Sequence, residues 1–269
     1  MPKSLQGKVV LITGASSGFG ANAARLFAKE GCRVIVSARR MDRLKAVAEE
    51  IIAAGGDAAV IQLDVTEQAQ VEEVVHTIID NYGRIDILFN NAGFGRLDWL
   101  ENLDAERDIN AQIAVNLTGL IQVARTVLPY MIRQRSGHII NMSSVAGWIA
   151  PPTYSIYATT KFGVRAFTEA LRREVRHLGI RVSGIYPGTA TTEFGQHTGN
   201  STVKRSLKLP KWIRMTSEYV ARKVVSIARR PRPTVIIPWW MVPVILLTRL
   251  FPHITDWVLV QLARRTHKV

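Results

Sequence analysis

Short, nearly unbroken apolar runs of strand length recur along the chain at residues 8–13, 33–38, 58–63, 85–90, 138–143, 181–185 and 234–237. Longer stretches with helical patterning separate them. A strand that is apolar on both faces needs cover on both, so this β-α-β-α rhythm predicts an α/β fold. Right-handed crossovers would then give a doubly wound parallel sheet in a three-layer α/β/α arrangement, with a ligand crevice at the strand carboxyl ends. Nothing before about residue 190 reads as a linker, a repeat or a low-complexity segment. A single catalytic domain is expected over 1–233, with the last strand and an apolar, basic extension over 234–269. The segment 195–215 is polar and rich in Gly, Ser, Thr and Lys. Its composition fits a lid over a site and a plain surface insertion equally well.

The first strand runs into Thr13-Gly14-Ala15-Ser16-Ser17-Gly18-Phe19-Gly20, with a helix expected to start near Gly20. Glycines at 14, 18 and 20 let the backbone turn tightly and approach a pyrophosphate, which the N–H groups of a helix start then meet. The spacing Gly-x-x-x-Gly-x-Gly differs from the common dinucleotide fingerprint, but its place after a first strand makes the fold Rossmann-like in expectation. The second strand ends Val36-Ser37-Ala38-Arg39-Arg40. A carboxylate there would accept the adenosine ribose hydroxyls of NAD, whereas a guanidinium grips a 2'-phosphate through paired donors. Arg39 and Arg40 therefore point to NADP(H); two solvated helix-start charges are the alternative.

Ser144, Tyr157 and Lys161 stand at spacings of 13 and 4. If Tyr157 opens a helix, Lys161 lies one turn on along the same face. An ammonium beside a phenol favours the phenolate, so the spacing predicts a tyrosine acidified into a usable acid or base. A reduction by hydride needs such a proton source and a second donor aimed at the substrate oxygen, and Ser144 is placed to be that donor.

Taken together, the motifs resemble those of the short-chain dehydrogenase/reductase family over roughly residues 8–237. The likeness rests on residues 13–20, on Asp64-Val65, on Asn90-Asn91-Ala92-Gly93, on Asn116, on Ser144 with Tyr157 and Lys161, and on Pro187-Gly188 followed by Thr192. The resemblance implies an oxidoreductase in which Asp64 and Val65 sit at the adenine and Asn91, Ala92 and Gly93 lie beside the cofactor. Pro187, Gly188 and Thr192 would stand near the nicotinamide. Lys161 would also hold the nicotinamide ribose, and Asn116 would keep a water in a proton relay. Phe19 departs from the family pattern, which often has a smaller aliphatic residue there. Phe94, Trp148, Tyr154, Phe194 and Trp212 are candidates for an apolar substrate pocket or for simple core.

The single Cys32 excludes an intramolecular disulfide and agrees with a reducing compartment. No signal-peptide pattern opens the sequence, and the chain is read as cytoplasmic. Its net charge of +14 is concentrated at the end: residues 201–269 hold 14 Lys and Arg against Glu218 and Asp256. Sixteen uncharged residues lie between Arg232 and Arg249, including Trp239, Trp240 and a run of aliphatics. As a straight helix they would cover about 24 Å, short of a hydrocarbon core of about 30 Å, and Pro238 and Pro243 break them. Paired tryptophans between basic flanks fit a segment lying in the membrane interface, so peripheral membrane contact through 234–269 is expected. The same stretch could instead close a homodimer or homotetramer, or wall the pocket. An apolar, lipid-like or steroid-like ketone, aldehyde or alcohol is the expected substrate. The other functional class is a silent NADP(H)-binding sensor. Nucleic acid is not expected, because the tail is too apolar and lacks a recognition motif. A sugar-nucleotide epimerase shares the Tyr-x-x-x-Lys pair, but its longer substrate region fits less well. No metal site is expected.

Overall fold

A computed structural model describes residues 4–191 and 215–264. Seven strands form one parallel sheet: β1 (Val9–Thr13), β2 (Arg33–Ala38), β3 (Asp57–Gln62), β4 (Ile87–Asn90), β5 (Gly137–Met142), β6 (Ile180–Pro187) and, last in the chain, β9 (Thr234–Ile237). Their order is β3-β2-β1-β4-β5-β6-β9. The two-residue strands β7 (Ala190–Thr191) and β8 (Met215–Thr216) pair apart from it. Each of the seven apolar runs becomes a strand.

The helices are α1 (Gly18–Lys29), α2 (Met41–Ala53), α3 (Gln68–Tyr82), α4 (Ala105–Arg133), α5 (Ser155–Val175), α6 (Ser217–Arg229), α7 (Met241–Leu250) and α8 (Pro252–Arg264). Alternate strand residues sort into two cores, as the two-residue period of a strand requires. Val10, Ile12, Val34 and Val36 face one layer with Phe27 of α1, Leu44 and Val47 of α2 and Val224 of α6. Val9, Leu11 and Ile35 face the other with Val74 and Ile78 of α3, Val127 of α4 and Leu171 of α5. Burial of both faces explains why the runs were continuous rather than alternating.

Strand order reverses between β1 and β4, which opens the crevice at their carboxyl ends. α1 begins at Gly18, slightly before the position expected from sequence. β9 pairs with β6 from Gly184↔Thr234 to Pro187↔Ile237, so the folded body includes residues 234–237. Beyond it, α7 and α8 form a separate bent pair, 111° apart.

Candidate active site

The glycine-rich turn is built for close approach. Gly14 and Gly18 have φ of +66° and +56°, a region that favours glycine. A Cβ on Gly14 would stand 2.8 Å from Ala92 Cα, and one on Gly20 would meet Gly14 O and Asn91 Nδ2. Thr13 Oγ1 accepts from Asn91 N (3.0 Å) and Ala92 N (3.1 Å), while Asn91 Nδ2 donates to Thr13 O and Gly14 O. These bonds lock the ends of β1 and β4 together. Phe19 is half-buried and packs onto the core, which accommodates its departure from the family pattern.

Ser17 is the N-cap residue of α1, yet its side chain caps no N–H, and the first turn holds no acidic residue. The helix start thus keeps donors and a positive dipole end for an anion. The two hydroxyls of the turn face Arg40 instead: its guanidinium donates to Ser16 Oγ (2.9 Å) and Ser17 Oγ (3.0 Å). Arg39 turns outward and lies 3.7 Å from Asp64 Oδ2. Asp64 Oδ1 accepts from Thr66 N and Oγ1, and Val65 is buried where a Cβ on Gly119 would strike it. Open backbone at Gly14, an uncapped helix start and an inward guanidinium form a cradle that fits a dinucleotide.

Across the crevice, β5 ends at Met142 and Ser144 N-caps a short turn over Val145–Gly147 by accepting from Ala146 N at 3.1 Å. Ser144 Oγ also donates to Pro187 O at 3.3 Å and hydrogen-bonds with the Tyr157 hydroxyl. Gly147 allows this turn to rest on α5, since a Cβ there would lie 2.6 Å from Lys161 O. The backbone N–H of Gly188 donates to Ile237 O at 2.7 Å, holding the end of β6 beside β9.

Tyr157 and Lys161 lie one helical turn apart in α5, both buried, with Nζ 5.6 Å from the phenol ring centre. The direction of the Tyr157 shift differs from the sequence expectation. Burial pushes the Tyr157 hydroxyl well above the usual phenol range; the Ser144 hydrogen bond opposes that only in part. Burial also pulls the Lys161 ammonium down to about 8. The spacing showed that the two groups face alike, but desolvation of each charged form outweighs their attraction in this pocket. Among the described residues, only Met142 O accepts from Nζ, at 3.2 Å, which leaves donors of the ammonium for a ligand.

Asn116 is fully buried in a π-turn, Ala114–Gly119, of α4. Its side chain accepts from Phe94 N (2.9 Å) and donates to Phe94 O (2.7 Å) and Thr160 Oγ1 (3.3 Å). The amide therefore clamps the segment after Gly93, with both Nδ2 protons committed to Phe94 O and Thr160 Oγ1. A Cβ on Gly93 would lie 3.0 Å from Asn116 Oδ1 and 3.6 Å from Lys161 Nζ, so this bare backbone faces the lysine.

Among the pocket candidates, Tyr154 meets Tyr157 edge-on with ring centres 6.1 Å apart, and Leu97 and Ala146 join them. Phe94 is half-buried and held by Asn116. Trp148 is engaged otherwise: Arg165 of α5 stacks 3.5 Å from its ring centre, Arg249 of α7 stands 4.8 Å away, and Tyr186 meets it edge-on. Thr192, Phe194, Trp212 and residues 195–214 lie outside the described residues. Ser143 and Thr160, polar struts of the site, carry no distinguishing signal in the sequence, and Thr13 carries only its place at the start of the glycine-rich turn. Ser143 Oγ bonds Lys161 O at 3.0 Å. No group of metal-ligating side chains occurs among the described residues.

The profile of the short chain dehydrogenases matches residues 8–202, and the chain belongs to that family. It is 42% identical over 188 residues to a 3-oxoacyl-(acyl-carrier-protein) reductase of Thermotoga maritima, covering 70% of this chain and 76% of that protein. Among solved structures it resembles a short chain dehydrogenase/reductase from Burkholderia phymatum in complex with NAD, with a TM-score of 0.85 and 25% identity, covering 94% of this chain and 96% of that one. A metagenomic short-chain oxidoreductase in complex with NADP gives a TM-score of 0.74 and 30% identity, covering 87% of this chain and 98% of that one. The protein is thus an oxidoreductase of the short-chain family whose relatives bind nicotinamide cofactors.

Proposed function

We propose that this protein is an NADP(H)-dependent reductase or dehydrogenase that interconverts a ketone or aldehyde and an alcohol on an apolar, lipid-like or steroid-like substrate. The observation that carries the cofactor preference is Arg40, held against Ser16 and Ser17 with no carboxylate at the end of β2 to repel a 2'-phosphate. Arg39, exposed and only 3.7 Å from Asp64, would add a second positive charge nearby. When bound, the nicotinamide supplies or accepts the hydride.

The remaining work falls to the side chains. Tyr157 delivers the proton to the nascent alkoxide; burial alone would make it a reluctant donor, and the neighbouring Lys161 charge and the Ser144 hydrogen bond act in the other direction by favouring the phenolate. Ser144, by turning its one proton from the long bond to Pro187 O, donates a second hydrogen bond to the same oxygen and stabilises the charge that develops there. Lys161 keeps N–H groups for the nicotinamide ribose. At neutral pH its ammonium is still protonated, and it lends positive charge to a deprotonated Tyr157 once the proton has left. Asn116 fixes Gly93 and Phe94 so that the wall of the site does not drift. The apolar substrate is supported by Tyr154, Leu97 and Ala146, which surround the reacting phenol. The enzyme works in the cytoplasm and meets such substrates at a membrane face.

The test follows NADPH and NADH oxidation across carbonyl compounds graded in chain length and ring number. Turnover with NADPH on apolar ketones, lost in Tyr157→Phe, is expected. Absence of turnover across the panel in either direction would leave the protein a cofactor-binding sensor.

A further inference from the structure

α7 and α8 expose what helices of this composition normally hide. α7 reads MVPVILLTRL, with Arg249 its one charged residue, and α8 sets Ile254, Trp257, Val258, Leu259, Val260 and Leu262 among the polar His253, Thr255, Asp256, Gln261 and Arg264. A helix apolar on all sides belongs in a core or in lipid. Yet Ile245 is the one buried residue of α7, and α8 has none. Trp239 is 77% exposed, Leu250 70%, Trp257 64% and Ile254 60%. At about 1.5 Å per residue the two helices are roughly 15 and 20 Å long, each short of a hydrocarbon slab of about 30 Å. Bent by 111°, they make no straight span but can lie within one leaflet.

Three observations identify what covers them. Tryptophans stand where an interface would have them: Trp239 and Trp240 ahead of α7, and Trp257 on α8. Charge is the second. Arg230 and Arg232 precede the pair, Arg249 and Arg264 lie within it and Arg265 and Lys268 follow in the sequence, against Asp256 alone; Arg229 is set apart by its ion pair with Glu30 at 3.3 Å. A second copy placed on this face by a twofold axis would set that charge against itself, whereas an anionic bilayer neutralises it. Position is the third: the pair leaves β9 at the carboxyl end of the sheet, beside Gly188, and Arg249 reaches back over Trp148 just beyond the Ser144 turn. The exposed apolar face and the mouth of the site therefore share one end of the molecule.

We infer that α7 and α8 form an interfacial anchor, seated in one leaflet of an anionic membrane with the active site opening toward the lipid. Tryptophan and aliphatic side chains enter the headgroup and acyl boundary, and the flanking arginines meet lipid phosphate. This attachment does not depend on the cofactor or the reaction.

The test is co-sedimentation of the full chain with vesicles of phosphatidylglycerol and phosphatidylcholine, or of phosphatidylcholine alone. The protein is expected to pellet with the anionic vesicles, less so as salt rises, and with a blue shift of tryptophan fluorescence. Ile254→Ser with Trp257→Ser, at exposed positions, should weaken that binding by at least about tenfold. Its melting temperature and its turnover of a water-soluble carbonyl compound should be unchanged. Tyr157→Phe should pellet like the wild type, which separates this result from the fate of the catalytic reading. The inference is overturned if the wild type stays in the supernatant, or if the double variant binds anionic vesicles equally well. A wild-type dimer that the double variant converts to monomers, with no vesicle binding by either, would make the pair a subunit seam instead.

Discussion

Replacing Lys161 by Met should make the cofactor-free protein more stable while removing its activity. The ammonium titrates at about 8 in the folded chain against an ordinary value of 10.5, because burial penalises its charge. Holding that charge at about pH 7 costs roughly 3 kcal/mol, at about 1.4 kcal/mol per pH unit. Methionine has a similar shape and no charge; against its gain stands the lost bond to Met142 O, about 1 kcal/mol. A net stabilisation of about 2 kcal/mol is expected near neutral pH. The sign then changes the picture at higher pH. Between about 8 and 10.5 the unfolded lysine holds a proton that the folded one has released, so wild-type stability rises with pH through that window. The Met variant lacks this rise, and the two proteins should converge near about pH 10. Urea unfolding followed by tryptophan fluorescence at the two pH values measures the gap. A variant less stable than wild type at neutral pH, or a gap that does not close on raising the pH, would refute the argument that burial controls this lysine.

Tyr157→Phe removes the proton donor and should lower kcat by roughly 10²- to 10⁴-fold, while fluorescence titration shows NADPH still bound. Arg40→Leu removes charge-assisted bonds worth about 1.5–3 kcal/mol, so the NADPH Kd should rise roughly 10- to 100-fold with NADH binding little changed. Equal losses for both cofactors would show that Arg40 supports the turn rather than the phosphate. Gly20→Ala drives a Cβ into Gly14 O and Asn91 Nδ2 and should destabilise the fold by about 1–3 kcal/mol in urea unfolding, with cofactor affinity falling in step.

The strands were readable because burial on both faces writes a continuous apolar run, a signal that survives without knowledge of neighbours. The glycines of the turn were readable for a similar local reason, since each answers to backbone geometry within a few residues. Pairwise choices were not. Arg39 and Arg40 are chemically identical neighbours, and only the packed structure turns Arg40 onto the serines and leaves Arg39 near Asp64. Helical spacing placed Lys161 beside Tyr157, yet spacing carries no information about dielectric, so the expected acidification of the phenol gave way to two groups both resisting charge. Asn116 was expected for its place in the family pattern, and the two bonds to the Phe94 backbone show a mechanical duty that no spacing encodes. The partners of Trp148 were least accessible, because one of its two guanidiniums arrives from the far end of the chain.

That last contact bears on how the enzyme should be handled at the bench. The greasy C-terminal pair invites trimming to improve yield, but a cut ahead of Thr234 would strip the sheet of its outermost strand beside Pro187. A cut after Pro238 spares the sheet and still pulls one cation off the indole that neighbours the Ser144 turn. A shortened protein would therefore be a different catalyst, and rate constants from it should not stand in for those of the intact chain.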